Sequence, residues 1–308
     1  MSANVTDLAV TQFSANLEMK VQQTESRLRG KVAEGQHKGR QASPVQYISP
    51  VKMQTPSGRY APLVPINANF ERRWVFPHDR DLPQIIDTFD ELRLISDPKS
   101  QYSTEAAAAV NREYDDTLIA AAFADAKIGR DVDGFSTETF DSTTYGVANT
   151  FGAGSTSTGL TVAKLIEAKR KLRHYGADGG DFKEGLGLIV GSQQEADLLG
   201  QAQVVSSDFN PGAVLKEGSV TRFMGFDIFV SERLLTTATN VRSCIAFMKS
   251  GLYLGVWQDL VSAATQREDL SSRPWQLYVH MTCGATRLQK GKLLTVDCAD
   301  SVGFSIVP

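Results

Sequence analysis

The chain has 308 residues, 42% of them hydrophobic and 22% charged, which is apolar enough for one large domain or two smaller ones and excludes disorder as the dominant state. Its opening, MSANVTDLAV, has no basic stretch followed by an apolar run, and no window approaches the ~18 consecutive apolar residues of a membrane span; a soluble protein made in the cytoplasm is expected. The net charge of −3 hides an asymmetry, with 11 Lys/Arg against 6 Asp/Glu in residues 1–80 and 21 against 29 in the remainder, a pattern that fits attraction between copies, contact of the basic end with nucleic acid, or plain solvated surface.

Residues 1–40 are polar, and Leu17, Val21, Thr24 and Leu28 recur at helical spacing without enough apolar residues for a core, so this stretch reads as an arm with a marginal helix. From 44 to 70, Val45, Tyr47, Val51 and Met53 alternate along one extended stretch and Tyr60, Val64, Ile66, Ala68 and Phe70 along a second. Between them Thr55-Pro56-Ser57-Gly58 has proline and glycine where a type I turn favours them. Prolines at 44, 50, 56, 62 and 65 exclude a central sheet strand, because each lacks a ladder donor. The segment reads as a long two-stranded ribbon. Such a ribbon is marginal alone in water, and ordering each residue costs about 1–2 kcal/mol of backbone entropy, so it must lie on another surface.

A helix is expected over 103–127, capped by Ser103, with Ala107, Val110, Tyr114, Leu118, Ala121 and Ala122 on one face and Gly129 after its end. Residues 134–159 hold 16 Gly, Ser or Thr and read as an irregular connection with short strands. A second helix is expected over 161–175, with Val162, Leu165, Ile166 and Leu172 facing inward and Arg170, Lys171, Arg173 and His174 near its C-terminus. An apolar strand follows at 186–190. Then comes a short helix opened by the capping-box pattern Ser192-Gln193-Gln194-Glu195 and closed at Gly200. Strands are expected at 226–230, 243–248, 251–257, 275–283 and 292–298, giving an α+β order and not a regular βαβ alternation.

The residues offer little chemistry. His37, His78, His174 and His280 lack ligand spacing, and neither HExxH, GxxxxGK[ST] nor GxSxG occurs; no metal or cofactor is expected. The glycines of GLGLIVG at 185–191 open a strand, whereas a dinucleotide loop would follow one. Asp131-Val132-Asp133-Gly134 lacks downstream calcium ligands and reads as a turn. Glu113, Asp115 and Asp116 read as a solvated or subunit-facing edge of the long helix. Cys244, Cys283 and Cys298 form no CxxC pair and are expected buried and reduced. Phe70-Glu71-Arg72-Arg73-Trp74 comes nearest to the interleaved basic and aromatic residues that stack on bases.

The order of elements resembles the Hong Kong 97-type coat fold of tailed bacteriophages. The arm and ribbon are similar to that family's N-terminal arm and extended loop, and YSTEAAAAVNREYDDTLIAAAFADA at 102–126 to its spine helix. LTVAKLIEAKRKLRHYGADGGDFKEGLGLIVGSQQEADLL at 160–199 resembles the opening of its axial domain. FMGFDIFVSE at 223–232, FMKSGLYLGVWQDLVSAATQRED at 247–269 and GATRLQKGKLLTVDC at 284–298 resemble the strands that follow. The resemblance implies an arm at 1–40, an extended loop at 41–76, a peripheral domain at 77–159 including helix 103–127, an axial domain at 160–255, and closing peripheral strands at 256–308.

It further implies a major capsid protein, not an enzyme, that assembles as hexamers and pentamers into an icosahedral shell around double-stranded DNA, with portal, scaffolding and decoration proteins as further partners and no membrane. Pro56, Ser57, Gly58, Arg59, Arg72 and Arg73 are the expected inter-subunit contacts. Some members weld subunits through a lysine–asparagine bond assisted by a glutamate; here no Asn follows Asn240 and no Glu follows Glu268. With ~40 residues before the ribbon, the cleaved scaffolding segment of other members is not expected here. Two alternatives compete: an encapsulin-like nanocompartment shell of the same fold with protein cargo, and a hydrolytic enzyme.

Overall fold

The structure, a computed structural model, describes residues 22–48, 51–55, 58–60, 62–63, 65–87, 99–129, 134–154, 156–175, 185–201, 220–271 and 273–300. In chain order these form β1 (Ala33–Gln36), β2 (Ala42–Ile48), β3 (Phe70–Val75), β4 (His78–Ile86), α1 (Lys99–Phe123), β5 (Ala126–Ile128), β6 (Ser136–Glu138), β7 (Gly146–Val147), α2 (Val162–His174), β8 (Leu186–Val190) and α3 (Ser192–Leu199). There follow β9 (Arg222–Phe223), β10 (Phe226–Val230), β11 (Thr236–Ala238), β12 (Val241–Met248), β13 (Leu252–Gln266), β14 (Trp275–Arg287) and β15 (Leu293–Ala299). The order is α+β, as its sequence suggests.

The chain divides into two compact units, with boundaries inside β4, α1, β13 and β14. The first contains Asp79–Glu113, Gln258–Thr282 and the described arm up to Ser26. Within it β14 lies between β13 and β4, and Ile86, Ala106, Ala108, Val110, Val279 and Met281 are buried. Thr282 donates to Asp79 (2.7 Å), and Asn111 and Arg112 of α1 bond Thr24 O (2.9 Å), Gln22 Oε1 (2.7 Å) and Gln23 O (3.1 Å) of the arm.

The second unit is built on a mixed sheet ordered β7-β15-β12-β8-β10-β9, with β11 added to β12. Its central strand β8 is buried at every position, as expected of a strand covered on both faces. Gly187 is required there by packing: a Cβ would stand 2.5 Å from the Phe247 ring. Gly187 of GLGLIVG therefore serves the core. Cys244, Cys283 and Cys298 are buried and form no disulfide among the described residues.

α2 buries Leu165, Ala168 and Leu172, but Ile166, expected inward, is 52% exposed, and Lys164 takes the inner place. The Lys164 ammonium donates to Asn149 O (3.0 Å), Thr158 O (2.8 Å) and Asp297 O (2.8 Å), which uses all three of its donors. Burial pushes its pKa below the ordinary value. This group pins the Gly/Ser/Thr-rich connection and β15 to α2.

Other local expectations are corrected. α1 starts four residues before Ser103, so that serine lies inside the helix and caps nothing, and it ends at Phe123 because Ala126–Ile128 extend to pair with β3 and β6. The capping box of α3 does not form: its N-cap is Gly191, and Glu232 accepts the Ser192 N–H (2.6 Å). Glu232 is thereby held at a pKa of about 2: burial pushes it up, and bonds from Ser192 and Arg242 outweigh that effect. Thr24 and Leu28 lie in irregular chain, not helix; Leu17, Val21 and Asp131–Asp133 lie outside the described residues.

Candidate subunit-contact surface

Among the described residues the ribbon is paired only at its base. β2 and β3 run antiparallel from Ala42↔Val75 to Ile48↔Phe70, with an irregularity between Ala42 and Val45 that accommodates Pro44. The described residues from 51 to 69 form no strand, which corrects the expected long ladder. The prolines there cannot donate, and with pairing lost the alternation of Val51, Met53, Tyr60 and Ile66 no longer sorts side chains to two faces.

The base is held firmly. β3 continues through β5 to β6 in a four-stranded sheet, and the Trp74 indole donates to Gly129 O (2.8 Å). Arg73 is buried and paired with Glu138 of β6, which also meets Lys290 at 3.0 Å. For Glu138 burial pushes the carboxyl pKa up, but the bonds from Arg73 and Lys290 win and hold it below its ordinary 4.5. A group depressed on folding contributes its stability in full above the unfolded value and loses it as pH falls through the folded one. E138Q is therefore expected to cost about 1–3 kcal/mol near pH 7, and much less near pH 3. Urea unfolding of variant and parent at both pH values checks this, and an equal loss at both would contradict it.

Arg287, 1% exposed, completes the support. Its guanidinium donates to Ala122 O, Ala124 O and Glu138 O, each at 3.1 Å, and lies 4.9 Å from the Phe140 ring. It satisfies carbonyls at the C-terminal end of α1, which a helix leaves unpaired, and ties them to β6.

The acidic cluster is not a free edge. Asp115 is buried and accepts Arg27 N–H (3.0 Å) and Leu28 N–H (3.2 Å) from the arm. Asp116 pairs with Arg233, and Glu113 with Arg80 at 2.7 Å. The arm then adds β1 in parallel to β13, from Ala33↔Tyr253 to Gln36↔Val256. His37 bonds the Tyr253 hydroxyl (2.7 Å), and Trp257 donates to Gly39 O (2.7 Å). Tyr253, Val75 and Leu288 form a small cluster against which Ala33, Val45, Tyr47 and Trp257 pack, so arm and ribbon base share one support.

Beyond that base the chain carries apolar surface with no core of its own. Met53 is 100% exposed, Tyr60 96% and Leu63 94%, and Ile48, Val51, Ile66 and Phe70 are exposed too. Covering such a side chain is worth about 1.5–3 kcal/mol. Of the expected contact residues, Gly58 and Arg59 are exposed, Arg72 is half-buried in β3, and Arg73 is engaged inside the subunit; Pro56 and Ser57 lie outside the described residues. The exposed apolar side chains are not among those expected contacts, because their alternation reads as one face of a strand and marks no particular residue as a contact. Among the described residues no three His, Cys, Asp or Glu converge to hold a metal ion, and no helix there is long and apolar enough to cross a membrane.

Solved capsids share this architecture. The capsid of cyanophage P-SCSP1u matches at TM-score 0.69 and 15% identity, over 98% of this chain and 96% of that one. The capsid of cyanophage Pam1 matches at 0.70 and 12%, over 96% and 97%, and that of Ralstonia phage GP4 at 0.67 and 9%, over 97% of both. The chain therefore has the Hong Kong 97-like capsid fold. The family described as phage capsid protein matches residues 5–300, and the chain belongs to it. Membership of that family makes it a structural protein. No curated protein matches it.

Proposed function

We propose that this chain is the major capsid protein of a tailed bacteriophage, made in the host cytoplasm and assembled through hexamers and pentamers into an icosahedral shell enclosing double-stranded DNA. The observation that carries the proposal is the exposed apolar stretch from Ile48 to Phe70, held at a rigid base and lacking any core. Family membership supports the same reading. In it α1 is the spine helix, the unit around β8 holds the axial domain, and the ribbon with Pro56, Ser57, Gly58, Arg59 and Arg72 meets neighbouring copies. Arg73 supports that contact from within. Head-to-tail contacts of this kind close into rings, with portal, scaffolding and decoration proteins as further partners. Electron micrographs of the purified protein test the proposal: closed shells with copurifying nucleic acid are expected. Shells holding a protein cargo would favour the nanocompartment, and monomers or dimers alone would overturn shell formation.

Mature shells are expected to carry no covalent bonds between coat chains, because the strands after Asn240 and Glu268 hold neither Asn nor Glu. Boiling in detergent under reducing conditions should release a single chain. A ladder of oligomers would contradict this.

A further inference from the structure

Taking the ribbon as an inter-subunit element, we infer that its Met53 seats in a cleft on the first compact unit of a second copy of this chain. That cleft, about 170 Å³, lies against β4, α1 and β14. Leu82, Val110 and Met281 contribute its apolar wall, and Arg80, Asp81 and Glu113 its polar side. An apolar cavity of ~150 Å³ holds a benzene-sized group, so one methionine side chain suits this space. Methionine is also the residue that best fills an irregular gap.

Charge argues for the same occupant. Residues 42–70 contain Lys52 and Arg59 and no carboxylate. At the cleft Arg80 is already paired with Glu113 at 2.7 Å, Asp81 is exposed and enters no ion pair among the described residues, and Asp79 precedes it on the same strand. The cleft is thus net acidic where residues 42–70 of the ribbon are purely basic, with Lys52 next to Met53. Met53 is fully exposed within its own subunit, so seating it adds burial that the lone chain lacks.

Two single-cysteine variants, M53C and A109C, test the inference when co-expressed, since Ala109 lines the cleft and the three native cysteines are buried. Mild oxidation of assembled shells is expected to yield a disulfide-linked dimer of the two variants, absent from unassembled subunits. Normal shells without that dimer would overturn the inference and leave the shell reading intact, whereas no shells from the parent chain would overturn both. An intrachain disulfide in the unassembled M53C/A109C double variant would show that the ribbon folds back on its own subunit, and would also overturn it. A second measurement stands apart from the cysteines. D81K is expected to lower shell yield about tenfold, since one weakened contact recurs at every copy, with the subunit melting temperature unchanged and the yield restored by adding K52E. Unchanged yield, or loss without rescue, would count against the inference.

Discussion

Shortening residues 55–60 is expected to lower shell yield by about tenfold or more, while the isolated subunit melts within about 2 °C of the parent. The two effects separate because the subunit's core lies elsewhere: β2 and β3 are fixed to β5, to Glu138 and to Gly129, and none of these contacts involves the tip. Described residues 51–69 form no ladder whose loss could unfold the base. The exposed side chains of Met53, Tyr60 and Leu63 gain burial only from another surface, and shortening the segment withdraws them from it. Circular dichroism melting and particle yield, measured on the same variant, decide the matter. Unchanged shells from a destabilised subunit would mean that the ribbon serves its own domain.

K164A is expected to destabilise the subunit by about 3–5 kcal/mol, the usual loss when one partner of a buried charged cluster is removed. The ammonium is 0% exposed and bonds three backbone carbonyls. Without it Asn149 O and Thr158 O of the connection and Asp297 O of β15 all lose a charged donor in a space water does not reach. Burial alone disfavours the charge, as the depressed pKa records, so the three bonds are what keep it there. K164M, which fills the space but restores no donor, is expected to recover only part of the loss. Removal of Arg170, exposed on the same helix and paired with Glu167, should change little. Urea unfolding of the three variants checks the order, and a K164A variant within 1 kcal/mol of the parent would refute the role assigned to Lys164.

The capsid reading and the site stood on different kinds of information. The segment without a core was visible in sequence because proline density and polar composition act locally: whatever the chain folds into, Pro50, Pro56, Pro62 and Pro65 cannot join a central ladder. Its true contact residues were less visible. Arg72 and Arg73 are neighbours in sequence, yet one is half-buried and the other is engaged by Glu138, and only the pairing of β3 with β5, and of β5 with β6, separates them. The acidic run on α1 misled for the same reason. Asp115 looks like surface until the arm is laid on the helix and presents the N–H groups of Arg27 and Leu28 to it.

By itself the sequence determined the order of elements, the all-apolar β8, the inward stripe of α2 at Leu165 and Leu172, and the absence of a core between Ile48 and Phe70. Each of these follows from periodicity or from a backbone limit that acts within a few residues. Tertiary structure alone decided where α1 begins and ends, how far the ribbon pairs, and which charges go inside. Lys164 meets a carbonyl 133 positions away and Arg287 one 165 positions away. A buried charge is stable only where distant chain supplies its partners, and no local pattern marks the residue for which they will be found.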